Sequence, residues 1–206
     1  MPVNALSGSG ADFSRADFVQ CRQQHIGSSK PAEDQAGETR GKILEIIGFM
    51  RRDSAQPPGR LVPKIIGPVQ GTSICPFGIP MNIMLRADET GGSFAAIVAE
   101  FSPGQGPPAH FHHDHEEYFF VLEGEFEVSV GENTVNAGPG SMVFVPRETV
   151  HAFKYVGSTR GKMLEWGTPG GQERYFEAID RLAAEGKMSP DTVTTTSRDF
   201  ATEFVG

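Results

Sequence analysis

Cysteine is scarce in this chain. Two of its 206 residues are cysteines, Cys21 and Cys75, which is too few for a disulfide framework. We interpret both as free thiols in a reducing compartment. The first 20 residues also lack the basic start and the apolar core of a secretory signal. The expected location is therefore cytoplasmic.

Long apolar runs and an excess of positive charge are missing as well. No stretch approaches the roughly 18 to 20 apolar residues that a membrane-spanning helix needs, so we expect no membrane partner. The chain has 18 Lys and Arg residues against 26 Asp and Glu residues, a formal net charge of −8. Because this charge would repel a phosphate backbone, we expect no nucleic-acid partner. A small-molecule substrate is the partner we expect.

Turn residues and apolar spacing divide the chain into three regions. Residues 1–60 form a polar N-terminal extension with two short helical candidates, at residues 14–24 and 41–52. Residues 61–170 contain short β-rich runs separated by glycine and proline, which is typical of an all-β sandwich or barrel. The runs are MNIMLRA, SFAAIVAEF, EYFFVLEG, EFEVSVG, NTVNAG, SMVFVP, HAFKYVG and GKMLEWG.

Residues 171–206 form a C-terminal tail that we expect to be helical. Its first part has apolar residues on one face of a helix and ends at Gly186. The apolar positions are Tyr175, Phe176, Ile179, Leu182 and Ala183. A weaker helix is expected over residues 197–204.

Four of the six histidines lie in the segment HFHHDHEE, residues 110–117. If this segment enters a strand, His110 and His112 point to one side, about 6.6 Å apart at roughly 3.3 Å per residue. Two imidazoles on one face can bind a single cation. The polar residues that follow suit a turn, and Glu117 then returns as a third ligand. His113 and His115 should point elsewhere.

A distant histidine completes the set. His151 follows a turn rich in glycine and proline and begins another strand. With His110, His112 and Glu117 it forms an imidazole and carboxylate group that suits one divalent transition metal: Fe, Mn, Ni, Cu, Co or Zn. Phe153 and Tyr155 share the face of His151 and should line the same cavity.

These segments resemble the cupin superfamily. Its first motif is a glycine, five residues, His-x-His, four residues, Glu, six residues and a glycine. Gly104, His110, His112, Glu117 and Gly124 occupy those places.

The second motif is matched by Gly140, Pro146 and His151. Glu148 stands where the family often has glycine, and Tyr155 lies near the place of a frequent asparagine. Neither departure affects a ligand. Outside the motifs, residues 90–113 and 168–179 resemble the single-cupin subgroup often labelled quercetin dioxygenase-like.

The resemblance covers roughly residues 61–185. It implies a double-stranded β-helix, the cupin jelly-roll barrel, with flanking N- and C-terminal helices. It also implies one divalent metal bound in the barrel mouth, usually in a homodimer.

Several neighbouring residues have two interpretations. His113 and His115 are interpreted as solvated turn residues, although either could shuttle protons. Glu116 is interpreted as a solvated neighbour of Glu117, or else as its replacement in the ligand set. Glu165 is either an exposed strand residue or an acid in the pocket. The aromatic residues are interpreted mainly as core, and they are Phe94, Phe119, Phe153, Tyr155 and Trp166.

Three functions are compatible with these residues. The first is a metal-dependent dioxygenase acting on an enol or phenol of an aromatic or polyketide-like molecule. In it Glu117 would bind the metal or act as general base, with Tyr155 as a second candidate catalytic residue. The second is an isomerase, cyclase, decarboxylase or lyase that uses the metal as a Lewis acid. The third is a ligand-binding cupin without enzymatic activity.

Overall fold

The computed structural model describes residues 61–68 and 70–205. It contains eleven β-strands and two α-helices, with 3-10 turns at Pro76–Gly78 and Ala87–Thr90. The strands are β1 Thr72–Ile74, β2 Met81–Leu85, β3 Ala95–Phe101, β4 His110–His112, β5 Glu116–Glu123, β6 Phe126–Val130, β7 Asn133–Ala137, β8 Met142–Val145, β9 His151–Tyr155, β10 Gly161–Thr168 and β11 Thr202–Phe204. The helices are α1 Gln172–Ala184 and α2 Pro190–Asp199.

The strands form two antiparallel sheets. The six-stranded sheet has the order β1-β2-β3-β10-β5-β8, and the five-stranded sheet has the order β11-β4-β9-β6-β7. Neighbours within each sheet are mostly distant in sequence, as in a jelly roll. The predicted all-β fold with a jelly-roll topology is confirmed.

Alternation along the strands places the core between the sheets. In β3 every second residue from Ala95 to Phe101 is buried, and β10 alternates in the same way from Gly161. This period of two is expected when one face of a sheet is buried. Phe119 and Phe153, interpreted from the sequence as core residues, are in the core cluster. The space between the two sheets is thus filled by a hydrophobic core.

The C-terminal tail differs from the prediction. Helix α1 begins and ends close to the predicted positions, and Tyr175, Phe176 and Ile179 are buried against the barrel. The helix predicted over residues 197–204 is wrong. Helix α2 ends at Asp199, the chain turns through Ala201 with a positive φ of 53°, and β11 then pairs with β4. The tail therefore contributes an edge strand to the sheet that carries the histidines.

Two predictions concern residues that the structure does not describe. The helical candidates at residues 14–24 and 41–52, and Cys21, lie outside the described residues. Cys75 is described, and it is not a free thiol, so that expectation was wrong at this position. Among residues 61–68 and 70–205, no helix is long and apolar enough to cross a membrane.

Candidate metal centre

The four predicted ligands meet at one end of the barrel. His110 and His112 lie on β4, His151 on the adjacent β9, and Glu117 on β5 of the opposite sheet. His110 is directly paired with His151 across the sheet. Each residue offers one ligand atom, and these atoms all lie within 4.8 Å of one another. We call these four residues the metal group.

Glu117 lies among the histidines of the metal group. Its Oε2 is 2.8 Å from Nε2 of His151 and 3.3 Å from Nε2 of His112. Its Oε1 accepts a hydrogen bond from the side-chain amide of Gln172. The carboxylate is 3% exposed, so these neighbours rather than water solvate its charge.

Each histidine of the metal group has a hydrogen-bond partner at Nδ1. Nδ1 of His110 donates to the Pro108 carbonyl at 2.8 Å, and Nδ1 of His151 donates to the Thr149 carbonyl at 2.9 Å. Nδ1 of His112 lies 2.9 Å from the hydroxyl of Thr202. A proton at Nδ1 leaves the lone pair of Nε2 for a cation, the arrangement found for metal-binding histidines.

Burial and charge set the protonation of the metal group. Burial lowers the pKa of His110 to about 4, with a further contribution from neighbouring histidines. Burial opposes charge on Glu117 as well, but hydrogen bonds and attraction from His112 and His151 hold its pKa well below the ordinary value. The same contact with Glu117 overcomes burial and raises the pKa of His151. An ionised carboxylate beside imidazoles fits a divalent cation, which would replace the proton on His151.

The polar segment after His112 divides into an exposed and a buried part. His113 is exposed and lies 2.8 Å from Glu148 and 3.2 Å from Glu203, as expected for a turn residue. Glu116 pairs with Arg147 at 2.7 Å and does not join the metal group. Glu148, where the family often has glycine, adopts a φ of 59°, the conformation that favours glycine. The interpretation of His113 as a solvated turn residue is confirmed, whereas Glu116 is the half-buried first residue of β5 and a neighbour of Glu117 outside the metal group.

His115 does not follow its preferred interpretation. It is 7% exposed, and its ring stacks on His112 with centroids 4.2 Å apart. Burial and the neighbouring His112 lower its pKa. Its Nδ1 lies 2.7 Å from Asp114, while its Nε2 is buried without a hydrogen-bond partner. The expectation of a solvated side chain was wrong.

Glu165 is an acid of the pocket rather than an exposed strand residue. It is 3% exposed on the inner face of β10, directly opposite Phe119 of β5. Burial, together with the charge of Glu117, raises its pKa well above the ordinary value. Its Oε1 is buried without a partner. A second buried carboxyl group therefore adjoins Glu117.

Tyr155 does not reach the metal group. It is four residues beyond His151 on β9, about 13 Å at roughly 3.3 Å per residue. Its side chain is 1% exposed and packs on Phe126, with ring centroids 5.0 Å apart. The expectation that Tyr155 lines a cavity with His151 was wrong, and its position gives no support to a catalytic role. Tyr155 is a core residue.

Two contacts to the metal group come from residues that were not predicted as functional. Gln172 opens α1, and Thr202 opens β11. Both line a cavity of about 220 Å³ with His115, Arg174 and Phe200. Gln172 lies in the segment 168–179 that resembles the single-cupin subgroup, but the resemblance assigned it no role, and no sequence feature marked Thr202. The cavity borders residues that contact the metal group, but no residue of the metal group lines it.

Comparisons with known proteins show which family and which relatives the sequence is similar to. The family model described as "Cupin domain" matches residues 97–167. Quercetin 2,3-dioxygenase of Bacillus subtilis is 26% identical over 160 residues, which cover 72% of this chain and 47% of that protein. Mannose-1-phosphate guanylyltransferase RfbM of Salmonella typhimurium is 30% identical over 77 residues, 37% of this chain and 16% of that protein. The chain thus spans less than half the length of either relative.

Among solved structures, a "predicted oxalate decarboxylase" from Thermotoga maritima is similar, with a TM-score of 0.48 and 17% identity. The match covers 52% of this chain and 99% of the chain in that structure. The family match spans β3 to β10, and those strands carry all four residues of the metal group. Residues 97–167 therefore match a cupin domain, and they contain the whole metal group.

Proposed function

We propose that the protein is a metal-dependent dioxygenase that acts on an enol or phenol of an aromatic or polyketide-like small molecule. The observation that carries this proposal is the buried metal group, with its three imidazoles and one carboxylate. The similarity to quercetin 2,3-dioxygenase supports the choice of reaction. Both oxygen atoms of O₂ would enter the substrate.

Each residue of the metal group would have a defined role in this reaction. His110, His112 and His151 would hold the metal through Nε2, and Glu117 would be the fourth ligand or the base for the substrate hydroxyl. A bound redox-active metal would supply an open coordination position and a route for electrons between substrate and O₂. Burial of the metal group would keep water from competing for that position. The donor set is compatible with Fe, Mn, Ni, Cu, Co and Zn alike.

A second candidate is a reaction that moves protons without O₂: isomerisation, cyclisation, decarboxylation or lyase chemistry. The observation that favours it is Glu165, a buried carboxyl group beside Glu117 with one unpartnered oxygen. A pair of carboxyl groups can accept a proton at one position and return it at another. In this case a redox-inert metal such as zinc would support activity.

Metal analysis combined with turnover in air and without oxygen separates these functions. The purified chain would be assayed on flavonols and then on enolisable diketones, with Glu117→Gln as the inactive control. We expect about one divalent metal per chain and turnover that requires O₂. Equal turnover without oxygen would contradict the dioxygenase and favour the second candidate. Ligand binding by a metal-free chain would indicate the non-enzymatic alternative.

We also propose that the protein is a homodimer. The outer face of the six-stranded sheet is apolar at its β8 edge, where Met142 and Phe144 are 53% and 51% exposed. Phe144 packs on Tyr118 of β5, with ring centroids 5.0 Å apart, so the exposed surface is continuous between the two strands. A second copy of the chain would remove this apolar area from water.

A further inference from the structure

Two hydrogen bonds to the metal group come from the C-terminal segment, beyond the residues matched by the family model. The side-chain amide of Gln172 donates to Oε1 of Glu117, across 55 residues of sequence. The hydroxyl of Thr202 contacts Nδ1 of His112, across 90 residues. Gln172 and Thr202 are 8% and 3% exposed, so water does not compete for either contact.

Gln172 is held in place by the anchoring of α1. Both terminal nitrogens of Arg86 donate to the carboxylate of Glu177, at 2.8 and 2.7 Å. The buried Glu173, next to Gln172, accepts a hydrogen bond from the backbone N–H of Ala87 at 3.0 Å. Two contacts therefore fix the first turns of α1 against the segment that follows β2. A side chain held this way is already in position to direct Glu117.

The hydrogen bond from Gln172 fixes the rotation of the Glu117 carboxylate, so that one oxygen is bound by the amide and the other faces the histidines. Because Oε1 is occupied by the amide, Oε2 is the oxygen that lies near His112 and His151. Rotation of the carboxylate would break the hydrogen bond from the Gln172 side-chain amide and leave buried polar atoms unpaired. Gln172 thus orients Glu117 toward the position of a cation without contacting that position itself.

Thr202 acts on His112 in a comparable way. β11 pairs with β4 so that Thr202 stands directly opposite His112. The Thr202 hydroxyl donates to the Phe200 carbonyl at 3.3 Å, which leaves its oxygen to accept the proton of His112 Nδ1 at 2.9 Å. The lone pair of His112 Nε2 then points to the metal group.

We propose that Gln172 and Thr202 are positioning residues of the metal group and that the C-terminal segment, residues 172–204, sets its metal affinity. The inference rests on the metal binding in the proposed function but is independent of the reaction. Hydrogen-bond partners of ligands typically contribute about 10- to 100-fold to metal affinity. Gln172 and Thr202 lie beyond residues 97–167, the region matched by the family model. Their role in metal affinity would therefore depend on the C-terminal segment of this chain.

The test compares metal affinities of full-length variants. Gln172→Leu and Thr202→Val remove the two contacts, and Thr202→Ser retains the hydroxyl. Matched controls are Gln105→Leu and Thr90→Val, because Gln105 bonds Ser102 and Gly78 while Thr90 bonds Phe94 and Ala87. Dissociation constants for Zn²⁺ and Co²⁺ are measured by competition with a chelator. The Co²⁺ absorption spectrum reports the coordination directly.

We expect Gln172→Leu and Thr202→Val each to weaken binding about 10- to 100-fold and to change the Co²⁺ spectrum. Thr202→Ser and both controls should stay within about threefold of the wild type, well below that range. Should Gln172→Leu fail to fold, Gln172→Asn takes its place, because its amide is one methylene short of Glu117. Thermal unfolding of the metal-free proteins separates lost affinity from lost stability.

The results also separate this inference from the proposed function. Wild-type affinity and spectrum in both contact variants would overturn the inference, and so would equal losses in the controls. In either case binding that depends on His151 would leave the proposed metal site intact. A wild-type chain that binds neither ion would overturn both.

Discussion

Metal binding should raise the thermal stability of this protein by an amount that depends on His151 but not on His113. The comparison uses two histidines from one region with opposite environments. His151 is 2% exposed and 2.8 Å from Glu117, whereas His113 has a side chain that is 41% exposed and pairs with surface carboxylates. Only the folded chain brings the metal group together, so binding stabilises the native state.

The expected magnitude follows from mass action. Free metal at 1,000 times its dissociation constant stabilises the native state by about 4.1 kcal/mol. For a domain of roughly 150 to 250 residues this raises the unfolding midpoint by about 8 to 16 °C. If His151→Ala weakens binding about 1,000-fold, the same metal concentration contributes about 0.4 kcal/mol, roughly 1 °C.

Differential scanning fluorimetry with and without each metal measures these shifts. The metal-induced shift is compared within each variant, because His151→Ala also leaves a buried gap that lowers the midpoint of the metal-free protein. His113→Ala should keep the full wild-type shift, and a chelator should reverse it. Equal shifts in His151→Ala and wild type would refute the assignment, as would a wild type that responds to none of the six metals.

Three further predictions concern the barrel and its surface. Gly124→Ala should lower the free energy of unfolding by about 2 to 4 kcal/mol in urea titrations, because its Cβ would lie 2.6 Å from the Tyr155 ring at a φ of +83°; an unchanged midpoint would contradict this packing. Phe144→Asp should convert a dimer to a monomer in light scattering, and a wild-type monomer would dismiss the dimer. Glu177→Gln should cost about 1 kcal/mol at pH 7. A hydrogen bond from Arg86 lowers the pKa of Glu177, so the pKa in the folded chain lies below that in the unfolded chain. The stability difference between Glu177→Gln and wild type should therefore vanish as the pH falls below the ordinary value of 4.5. A difference that persists in acid would indicate a packing effect instead.

Periodicity was sufficient to locate most of the barrel. The runs predicted as strands correspond to β2, β3 and β5 to β10, because alternation over several residues is a strong signal in sheets with one buried face. The same alternation placed His110, His112, Glu117 and His151 on inner faces. Glu117 and His151 lie on strands that the apolar alternation predicted, whereas His110 and His112 were found from their spacing of two residues and from the motif they match.

The end of the chain was mispredicted for a local reason. Ser189 caps α2 and Pro190 occupies its first turn, so the helix begins well before the predicted start at residue 197. β11 has three residues, too few to show a period of two. Its identity as a strand depends on the partner β4, which no local pattern reveals.

The environments of His115 and Glu165 depended on long-range packing. The segment from Asp114 to Glu117 is polar enough for an exposed turn, yet His115 shares a cavity wall with Gln172 and Thr202 of the C-terminal segment. Glu165 lies on the same buried face of β10 as Met163, whereas its polarity favoured an exposed position. Sequence alone could not decide between these two rules, because the outcome depends on the neighbouring Glu117.

The pairing of β11 with β4 also determines when, during synthesis of the chain, this part of the site can form. His112 is made 90 residues before Thr202, and ribosomes add about 5 to 20 residues per second, so the histidine waits roughly 5 to 18 s for its partner. All four metal ligands have been translated once His151 is added, before either Gln172 or Thr202 exists. If the four residues bind a metal as proposed, the nascent chain would carry its ligands before it could orient them, and metal binding with the native geometry would follow the synthesis of β11.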